Sequence, residues 1–227
     1  MQDFDCTDDA SRPLTAIDPD WRFVMKILAI NGSHRPGRGT ATLAEAALEE
    51  ARAQGMETEL IELTQCSIEF CSGCNRCLGS KTCSIDDDIT EIAEKLRQAD
   101  GIILASPNYC ANVSARMKNF MDRTRFMHMV ENQLKGKIGG IIATTGLSNC
   151  GGEEAVAAMQ RWFQIQEVLI VQPRPEGEVL GNFCLGTMYR AYEDGKVRWQ
   201  RISDDQIALK FARQLGHDMA ELIKKLQ

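Results

Sequence analysis

The sequence predicts an α/β fold in which helices cover both faces of a parallel sheet. Short apolar runs alternate five times with longer helical runs along the chain, and this alternation is typical of strand–helix units that build parallel sheets. The apolar runs are nearly continuous, as expected for strands that are buried on both faces. The chain has 227 residues, of which 44% are hydrophobic, and this is enough to bury a sizeable core.

The first half of the alternation begins at Lys26–Asn31, a short apolar run that predicts a buried strand. A helix is predicted over 40–54, because this segment is rich in Ala, Leu and Glu and is followed by Gly55, a residue type that commonly ends helices. The second strand is predicted over 58–63. A helix over 86–98 then begins with three aspartates, which stabilise the positive end of a helix.

The second half begins with the most hydrophobic predicted strand, 101–106. A helix, a glycine-flanked strand, a helix, a strand and a C-terminal helix follow at 114–127, 137–144, 153–163, 167–172 and 204–225. Residues 173–202 follow neither helical nor strand periodicity. We interpret them as an extension that packs on a neighbouring subunit or covers a ligand.

The composition limits the classes of function. Residues 1–24 contain six aspartates and no periodicity, which predicts a flexible acidic arm ahead of a single domain over 25–227. The formal net charge of −6 argues against a nucleic acid partner, because phosphate binding needs a positive face. Apolar runs are too short to cross a bilayer, and the N-terminus lacks the features of a signal peptide. We therefore expect a cytoplasmic protein without a membrane partner.

Four cysteines lie within the predicted loop 64–88, in the spacing Cys71-x2-Cys74-x2-Cys77-x5-Cys83. Gaps of two residues allow a short irregular segment to turn several thiolates toward one object, and such runs are typical of iron–sulfur ligands. Structural zinc usually has two separated pairs of ligands, and residues three apart are poorly placed for a disulfide. The pattern favours an iron–sulfur cluster, with redox-active thiols and zinc as the alternatives.

Three loops follow the first, third and fourth predicted strands. We expect them to meet, because ligands of such sheets bind beyond the carboxyl ends of the strands. Loop 31–40 is rich in glycine and precedes a helix, which favours phosphate binding. Loop 106–112 offers a tyrosine for contact with a planar ring, and loop 144–152 has three glycines that permit close backbone approach. Together the loops suit FMN.

The sequence also resembles a known family through four motifs, which are Gly32-Ser33-x-Arg35, Ser106-Pro107-x-Tyr109, Lys118-x-Phe120-x-Asp122-Arg123 and Gly151-Gly152-Glu153. They resemble the flavodoxin-like NADPH-dependent FMN reductases over about residues 25–171, and the cysteine loop is similar to that of the iron–sulfur flavoproteins. The resemblance implies a flavodoxin-like three-layer sandwich with a five-stranded parallel sheet in the order 2-1-3-4-5. It also implies bound FMN, a [4Fe-4S] cluster and a homodimer or homotetramer.

The resemblance further implies which residues form the two sites. The FMN contacts are expected from Ser33, Arg35, Arg38, Gly39, Thr40 and Ala41 around the phosphate, from Pro107, Asn108, Tyr109 and Asn112 beside the isoalloxazine ring, and from Thr145, Gly146, Gly151 and Gly152 in the third loop. The cluster ligands are expected to be Cys71, Cys74, Cys77 and Cys83. Relatives often have Gly-Asn-Thr where this chain has Arg38-Gly39-Thr40, so we expect Arg38 to replace the missing amide.

The predicted function is that of an FMN-dependent oxidoreductase, in which neither route to the flavin strictly requires a catalytic acid or base. Electrons are expected to come from a ferredoxin-like donor through the cluster, or from NAD(P)H, and to pass to a small-molecule acceptor. The alternatives are an electron carrier or redox sensor without substrate turnover, and a simple NAD(P)H-dependent FMN or quinone reductase without a cluster. A flavodoxin-like scaffold with structural zinc is a further alternative.

Overall fold

A computed structural model of the protein describes residues 24–147, 150–175, 177 and 184–226. The predicted acidic arm lies outside these residues except for Val24, and part of the 173–202 extension also lies outside them. None of the helices within the described ranges is long and apolar enough to cross a membrane.

The described residues form nine strands and six α-helices. The strands are β1 Lys26–Asn31, β2 Glu57–Glu62, β3 Gly101–Tyr109, β4 Asn112–Val113, β5 Ile138–Thr145, β6 Leu169–Ile170, β7 Cys184–Thr187, β8 Tyr189–Glu193 and β9 Lys196–Trp199. The helices are α1 Gly39–Ala53, α2 Ile89–Gln98, α3 Ala115–Arg123, α4 Phe126–Met129, α5 Gly152–Ile165 and α6 Gln206–Leu226. Each predicted helix and strand is present, with differences at its ends.

The main sheet has the strand order β2-β1-β3-β5-β6, and the pairs along this path are parallel. The prediction of five strands is wrong, because the described part of this sheet contains seven. Strand β4 adds an antiparallel pair to β3, and β7 pairs in parallel with the second half of β5. The fifth position is therefore shared by β6, beside the start of β5, and β7, beside its end. Pro173 and Pro175 follow β6 in the sequence and explain its early end, since proline cannot donate to a ladder.

Two helix boundaries differ from the prediction for local chemical reasons. Helix α2 begins at Ile89 rather than residue 86, because Asp87 and Asp88 accept hydrogen bonds from backbone amides of the preceding loop instead of continuing the helix. The helix predicted over 114–127 is divided between α3 and α4. At the break, the Thr124 hydroxyl donates to the Phe120 carbonyl, and this type of side-chain bond competes with regular helix geometry.

The core consists of two apolar layers on opposite faces of the sheet. Along β1, Ile27 and Ala29 join the layer beneath α1 and α6, whereas Leu28 and Ile30 join the layer beneath the other helices. This alternation follows from the two-residue period of a strand. The layers bury both faces of β1, β3 and β5. Because these three strands are parallel, their carboxyl ends meet at one edge of the sheet.

Helices α1 and α6 approach each other closely at Gly216, where an added Cβ would lie 1.9 Å from the Ala47 carbonyl oxygen. We expect Gly216→Ala to lower the free energy of unfolding by about 1–3 kcal/mol, because overpacking costs more than the helix propensity of alanine returns. Urea unfolding followed by circular dichroism measures this change. Arg213→Ala, on the exposed side of α6, is the control and should change stability by less than about 0.5 kcal/mol. Equal stability of the two variants would contradict the close helix contact.

Candidate functional site

The loop between β1 and α1 is held in a defined turn by its own polar groups. The Ser33 hydroxyl accepts from the Arg35 amide at 3.1 Å and donates to the Arg35 carbonyl at 3.1 Å. The Ser33 amide donates to Asn31 Oδ1 at 3.0 Å. Glu62, at the end of β2, accepts from the Asn31 side chain at 2.7 Å and from the Gly37 amide at 3.0 Å. These bonds hold the loop against the carboxyl end of the sheet.

A cleft of 390 Å³ opens above this loop. Helix α1 begins at the cleft, and within the described part of the chain no side chain caps its first turn. The Thr40 hydroxyl lies 2.8 Å from the Thr144 hydroxyl of β5, and both residues are buried. Free amides and hydroxyls at a helix N-terminus favour an anionic group, so the cleft has the chemistry of a phosphate site.

Positive charge adds to this chemistry. Arg35, Arg38 and Arg201 all line the cleft, and none of the ion pairs found within the described ranges involves them. Sequence reasoning identified Arg35 and Arg38 but missed Arg201 and its neighbour Ser203. Their position depends on how the chain returns from the hairpin formed by β8 and β9, which no local sequence pattern reveals.

The turn between β3 and β4 forms a second wall near the cleft. Tyr109 is half-exposed, and its ring stacks on that of His34 with centroids 5.6 Å apart and an interplanar angle of 16°. Asn108 donates through Nδ2 to the Cys150 carbonyl at 2.8 Å and less closely to the Thr145 hydroxyl at 3.4 Å. The buried Asn108 Oδ1 has no hydrogen-bond partner among the residues that the structure describes. An unsatisfied buried acceptor beside an aromatic surface fits a planar ligand that carries an N–H donor, as the isoalloxazine ring does.

The second and third loops touch at Gly151. Its φ is +83°, and an added Cβ would lie 2.6 Å from the Cβ of Ala111. Cys110 and Ala111 also have positive φ values, 51° and 55°, as a tight two-residue hairpin turn requires. The loops after β1, β3 and β5 therefore converge as expected from the topology.

The predicted FMN residues occupy three kinds of position. Ser33, Arg35, Arg38, Gly39, Thr40 and Pro107 line the cleft. Asn108, Tyr109, Thr145 and Gly151 form the adjoining wall. The others lie around these two groups: Ala41 is buried in α1, Asn112 Oδ1 accepts from the Val113 amide, and Gly152 packs against Leu185. A Cβ added at Gly146 would meet no described atom within 4 Å.

The four predicted cluster ligands line one small pocket of 30 Å³ beside α3 and α4. Cys71 and Cys74 are exposed, while Cys77 and Cys83 are half-buried. Among the residues that the structure describes, no three His, Cys, Asp or Glu side chains are grouped so as to hold a metal ion. The donor set itself, four cysteines that line one pocket, has the chemistry of iron–sulfur ligands.

A buried ion pair anchors the cysteine loop to α3. Arg123 donates to Asp87 Oδ2 at 2.5 Å and to the Glu69 carbonyl at 2.6 Å, and the side chains of Arg123 and Asp87 are 0% and 5% exposed. Arg123 also approaches Cys83 Sγ at 3.5 Å. Arg125 donates to Asn75 Oδ1 at 3.1 Å. Two arginines therefore hold the loop and bring positive charge to the thiols.

Hydrogen bonds favour the thiolate form of Cys74. The Arg76 backbone amide, followed by the Ser84 hydroxyl, lowers the pKa of the Cys74 thiol to about 7, and the thiolate is the form that binds metals. Cys66 differs, because burial raises the pKa of its thiol and Sγ donates to the Glu62 carbonyl at 3.6 Å. Cys66 does not line the cysteine pocket and is a half-buried side chain.

Helix α3 connects the two sites. At its N-terminus, the Ser114 hydroxyl caps the helix by accepting from the Met117 amide, and it donates to the Gly32 carbonyl of the first loop at 2.5 Å. At its C-terminus, Asp122 and Arg123 line the cysteine pocket. The nine residues of α3 span about 13 Å at a rise of 1.5 Å per residue. The cleft and the cysteine pocket are therefore neighbours along one rigid element.

Comparisons with known proteins identify a matching family, a similar relative and similar structures. The model of the NADPH-dependent FMN reductase family matches residues 25–177. An iron-sulfur flavoprotein of Methanocaldococcus jannaschii is 36% identical over 89% of this chain and 100% of its own length. Among solved structures, RosB with a bound 8-demethyl-8-formylriboflavin-5'-phosphate intermediate has a TM-score of 0.64 at 16% identity, covering 88% of this chain and 81% of that chain. A flavodoxin from the domain Archaea has a TM-score of 0.52 at 18% identity, covering 88% and 99%.

The fold, the family match and the flavoprotein relative together define a flavodoxin-like, FMN-dependent oxidoreductase. The chain belongs to the NADPH-dependent FMN reductase family. The family and the flavodoxin-like fold predicted from the sequence motifs are thereby confirmed.

Proposed function

We propose that the protein is an iron–sulfur flavoprotein, in which Cys71, Cys74, Cys77 and Cys83 would hold a [4Fe-4S] cluster and the cleft would hold FMN, and these two groups would supply its electron-transfer chemistry. The observation that carries this proposal is that all four cysteines line one pocket. The Methanocaldococcus jannaschii relative, which is named an iron-sulfur flavoprotein and is matched over its whole length, supports the proposal. The electrons would come from a ferredoxin-like donor and pass to a small acceptor.

The chain's own groups have distinct tasks in this proposal. The hydroxyls of Ser33 and Thr40 and the free amides at the start of α1 bind the phosphate, and Arg35 and Arg38 neutralise its charge. Asn108 orients the ring through its unsatisfied Oδ1, and Tyr109 covers an edge of it. FMN supplies the redox chemistry when bound. The protein therefore acts by position and charge rather than by a catalytic acid or base.

The short path along α3 supports an exchange of electrons within one chain. Ser114 contacts the first flavin loop, whereas Arg123 contacts the cysteine loop at the other end of the helix. Because a helix is stiff over this length, the two sites keep a constant separation. Assembly into a homodimer or homotetramer stays a prediction.

Anaerobic purification tests the proposal directly. The absorption spectrum should show flavin bands with a broad iron–sulfur shoulder, and assays should find about four irons and four sulfides per chain. Zinc in place of iron would assign the cysteines a structural role, and flavin without either metal would leave a simple reductase. A protein without flavin would contradict the proposal at its centre.

A second candidate function is a simple NAD(P)H-dependent FMN or quinone reductase without a cluster. The half-exposed Tyr109 favours it, because it leaves access for a nicotinamide beside the ring. Anaerobic stopped-flow absorption distinguishes the two. Rapid bleaching of the flavin by NADPH in iron-free protein supports the second candidate, whereas bleaching only by a reduced ferredoxin in iron-loaded protein supports the first.

A further inference from the structure

The segment that follows the β8–β9 hairpin returns to the cleft through a series of backbone hydrogen bonds. The Met188 amide donates to the Thr145 carbonyl at the end of β5 at 3.0 Å. The Gln200 amide donates in turn to the Met188 carbonyl at 2.8 Å, and Gln200 Nε2 donates to the Thr187 carbonyl at 3.1 Å. These hydrogen bonds hold the backbone immediately before Arg201 at the end of the sheet.

The next turn packs directly on the phosphate loop. The 3-10 turn Ile202–Asp204 presses Ile202 against Gly39, where an added Cβ would lie 2.5 Å from Ile202 Cγ1. Ile202 is buried in the layer beneath α1 and α6. No side chain fits at position 39 without moving this turn, so the Gly39 backbone and the C-terminal segment form one continuous surface.

Arg201 and Ser203 both line the cleft beside Arg35 and Arg38. Arg201 takes part in none of the ion pairs found in the part of the chain that the structure describes. Arg198, three residues earlier, is paired instead with Glu193 and Asp194 at 3.4 Å each. An unpaired guanidinium beside a helix N-terminus, in a chain of net charge −6, is suited to bind an anion.

We propose that Arg201 and Ser203 bind the FMN phosphate, so that the C-terminal segment selects the phosphorylated flavin together with the loop after β1. This inference rests on the proposed binding of FMN at the cleft. It adds Arg201 to Arg35 and Arg38, which line the same cleft. Because Arg201 follows the hairpin directly, phosphate binding also holds β8 and β9 against the body of the protein.

Flavin affinity tests the assignment in full-length protein freed of flavin by dialysis. Arg201→Met should raise the Kd of FMN about 10- to 100-fold, since a charge-assisted contact to phosphate is lost. The Kd of riboflavin, which has no phosphate, should stay within about twofold of that of the unaltered protein. Arg201→Lys should fall between these values, because lysine keeps the charge but loses the planar fork. Arg198→Met is the control on the same hairpin and should leave both constants unchanged.

Hydrogen exchange gives a second readout that does not depend on catalysis. FMN should slow amide exchange over 196–203 in the unaltered protein, and riboflavin should slow it less. If Arg201→Met fails to fold, Ser203→Ala serves instead, with an expected three- to tenfold rise, roughly, in the Kd of FMN alone.

Two results would overturn the inference while flavin binding itself stands. One is an Arg201→Met protein whose FMN and riboflavin constants rise by the same factor, which would assign Arg201 a structural role. The other is an FMN constant that does not change. An unaltered protein that binds neither flavin would instead contradict the proposed function, and the inference would fall with it.

Discussion

Replacing Arg123 with methionine is expected to lower the free energy of unfolding by about 3–5 kcal/mol at neutral pH, the usual cost of removing one partner from a buried ion pair. Arg123 and Asp87 are almost fully buried, and Asp87 also accepts from the amides of Glu69 and Ile89 at 2.9 and 3.1 Å. Methionine fills the space of the arginine stem but leaves a buried carboxylate without its cation. The anchor of the cysteine loop on α3 is lost at the same time.

The loss of stability in Arg123→Met depends on pH in a defined direction. Burial alone would raise the pKa of Asp87, but the hydrogen bonds from Arg123 and two backbone amides outweigh it and hold the pKa below its ordinary value. A lowered folded-state pKa adds stability above the unfolded-state pKa of about 3.9, and this stability is lost as the pH falls through the folded-state value. The difference in the free energy of unfolding between the unaltered and Arg123→Met proteins should therefore be largest near pH 7 and become smaller below about pH 4.

Chemical unfolding between pH 3 and 8 measures this difference. Lys118→Met is the matched control on the same helix, because Lys118 pairs with Asp122 at 2.6 Å with both side chains about half-exposed, and such pairs are worth roughly 0–1 kcal/mol. Adding Asp87→Asn to Arg123→Met should recover part of the loss, with a coupling of about 1–3 kcal/mol between the two sites. An Arg123→Met protein no less stable than the Lys118→Met control would contradict the buried pair.

Much of the fold follows from local sequence. The first strand was predicted with its observed ends, Lys26–Asn31, because an apolar run buried on both faces cannot shift without exposing itself. The three ligand loops were predicted because they depend on strand ends and glycines. Gly151, for example, has both a positive φ and a close neighbour, and only glycine satisfies both conditions.

Features that depend on distant contacts were not predicted. The division of the fifth sheet position between β6 and β7 requires the chain to leave the sheet and return, and no periodicity marks the return. Arg123 pairs with Asp87, 36 residues away in the chain, and no local pattern identifies this partner. Arg201 reaches the cleft through the hydrogen bonds of Met188 and Gln200. In each case a tertiary contact, rather than a local preference, determines the role of the residue.

Replacing Cys77 with alanine is expected to reduce the iron content of anaerobically purified protein from about four atoms per chain to nearly none, because a [4Fe-4S] cluster is held by four thiolates. Cys77 lies in a short 3-10 turn of the cysteine loop and lines the common pocket. Cys66→Ala is the matched control, since Cys66 lies in the same loop, five residues before Cys71, but bonds the Glu62 carbonyl and lies outside the pocket. Iron and acid-labile sulfide assays on both variants measure the effect.

The flavin content of the same samples separates a local effect from a general one. Cys77 shares a pocket with Asp122 and Arg123 at the C-terminal end of α3, whereas Ser114, at the N-terminal end, contacts the first flavin loop. Sites this far apart without shared partners usually behave independently. Cys77→Ala should therefore keep its FMN while losing its iron. Loss of both iron and FMN would show that the cysteine loop supports the fold of the flavin site. Equal iron content in Cys77→Ala and Cys66→Ala would contradict the assignment of the four cysteines as metal ligands.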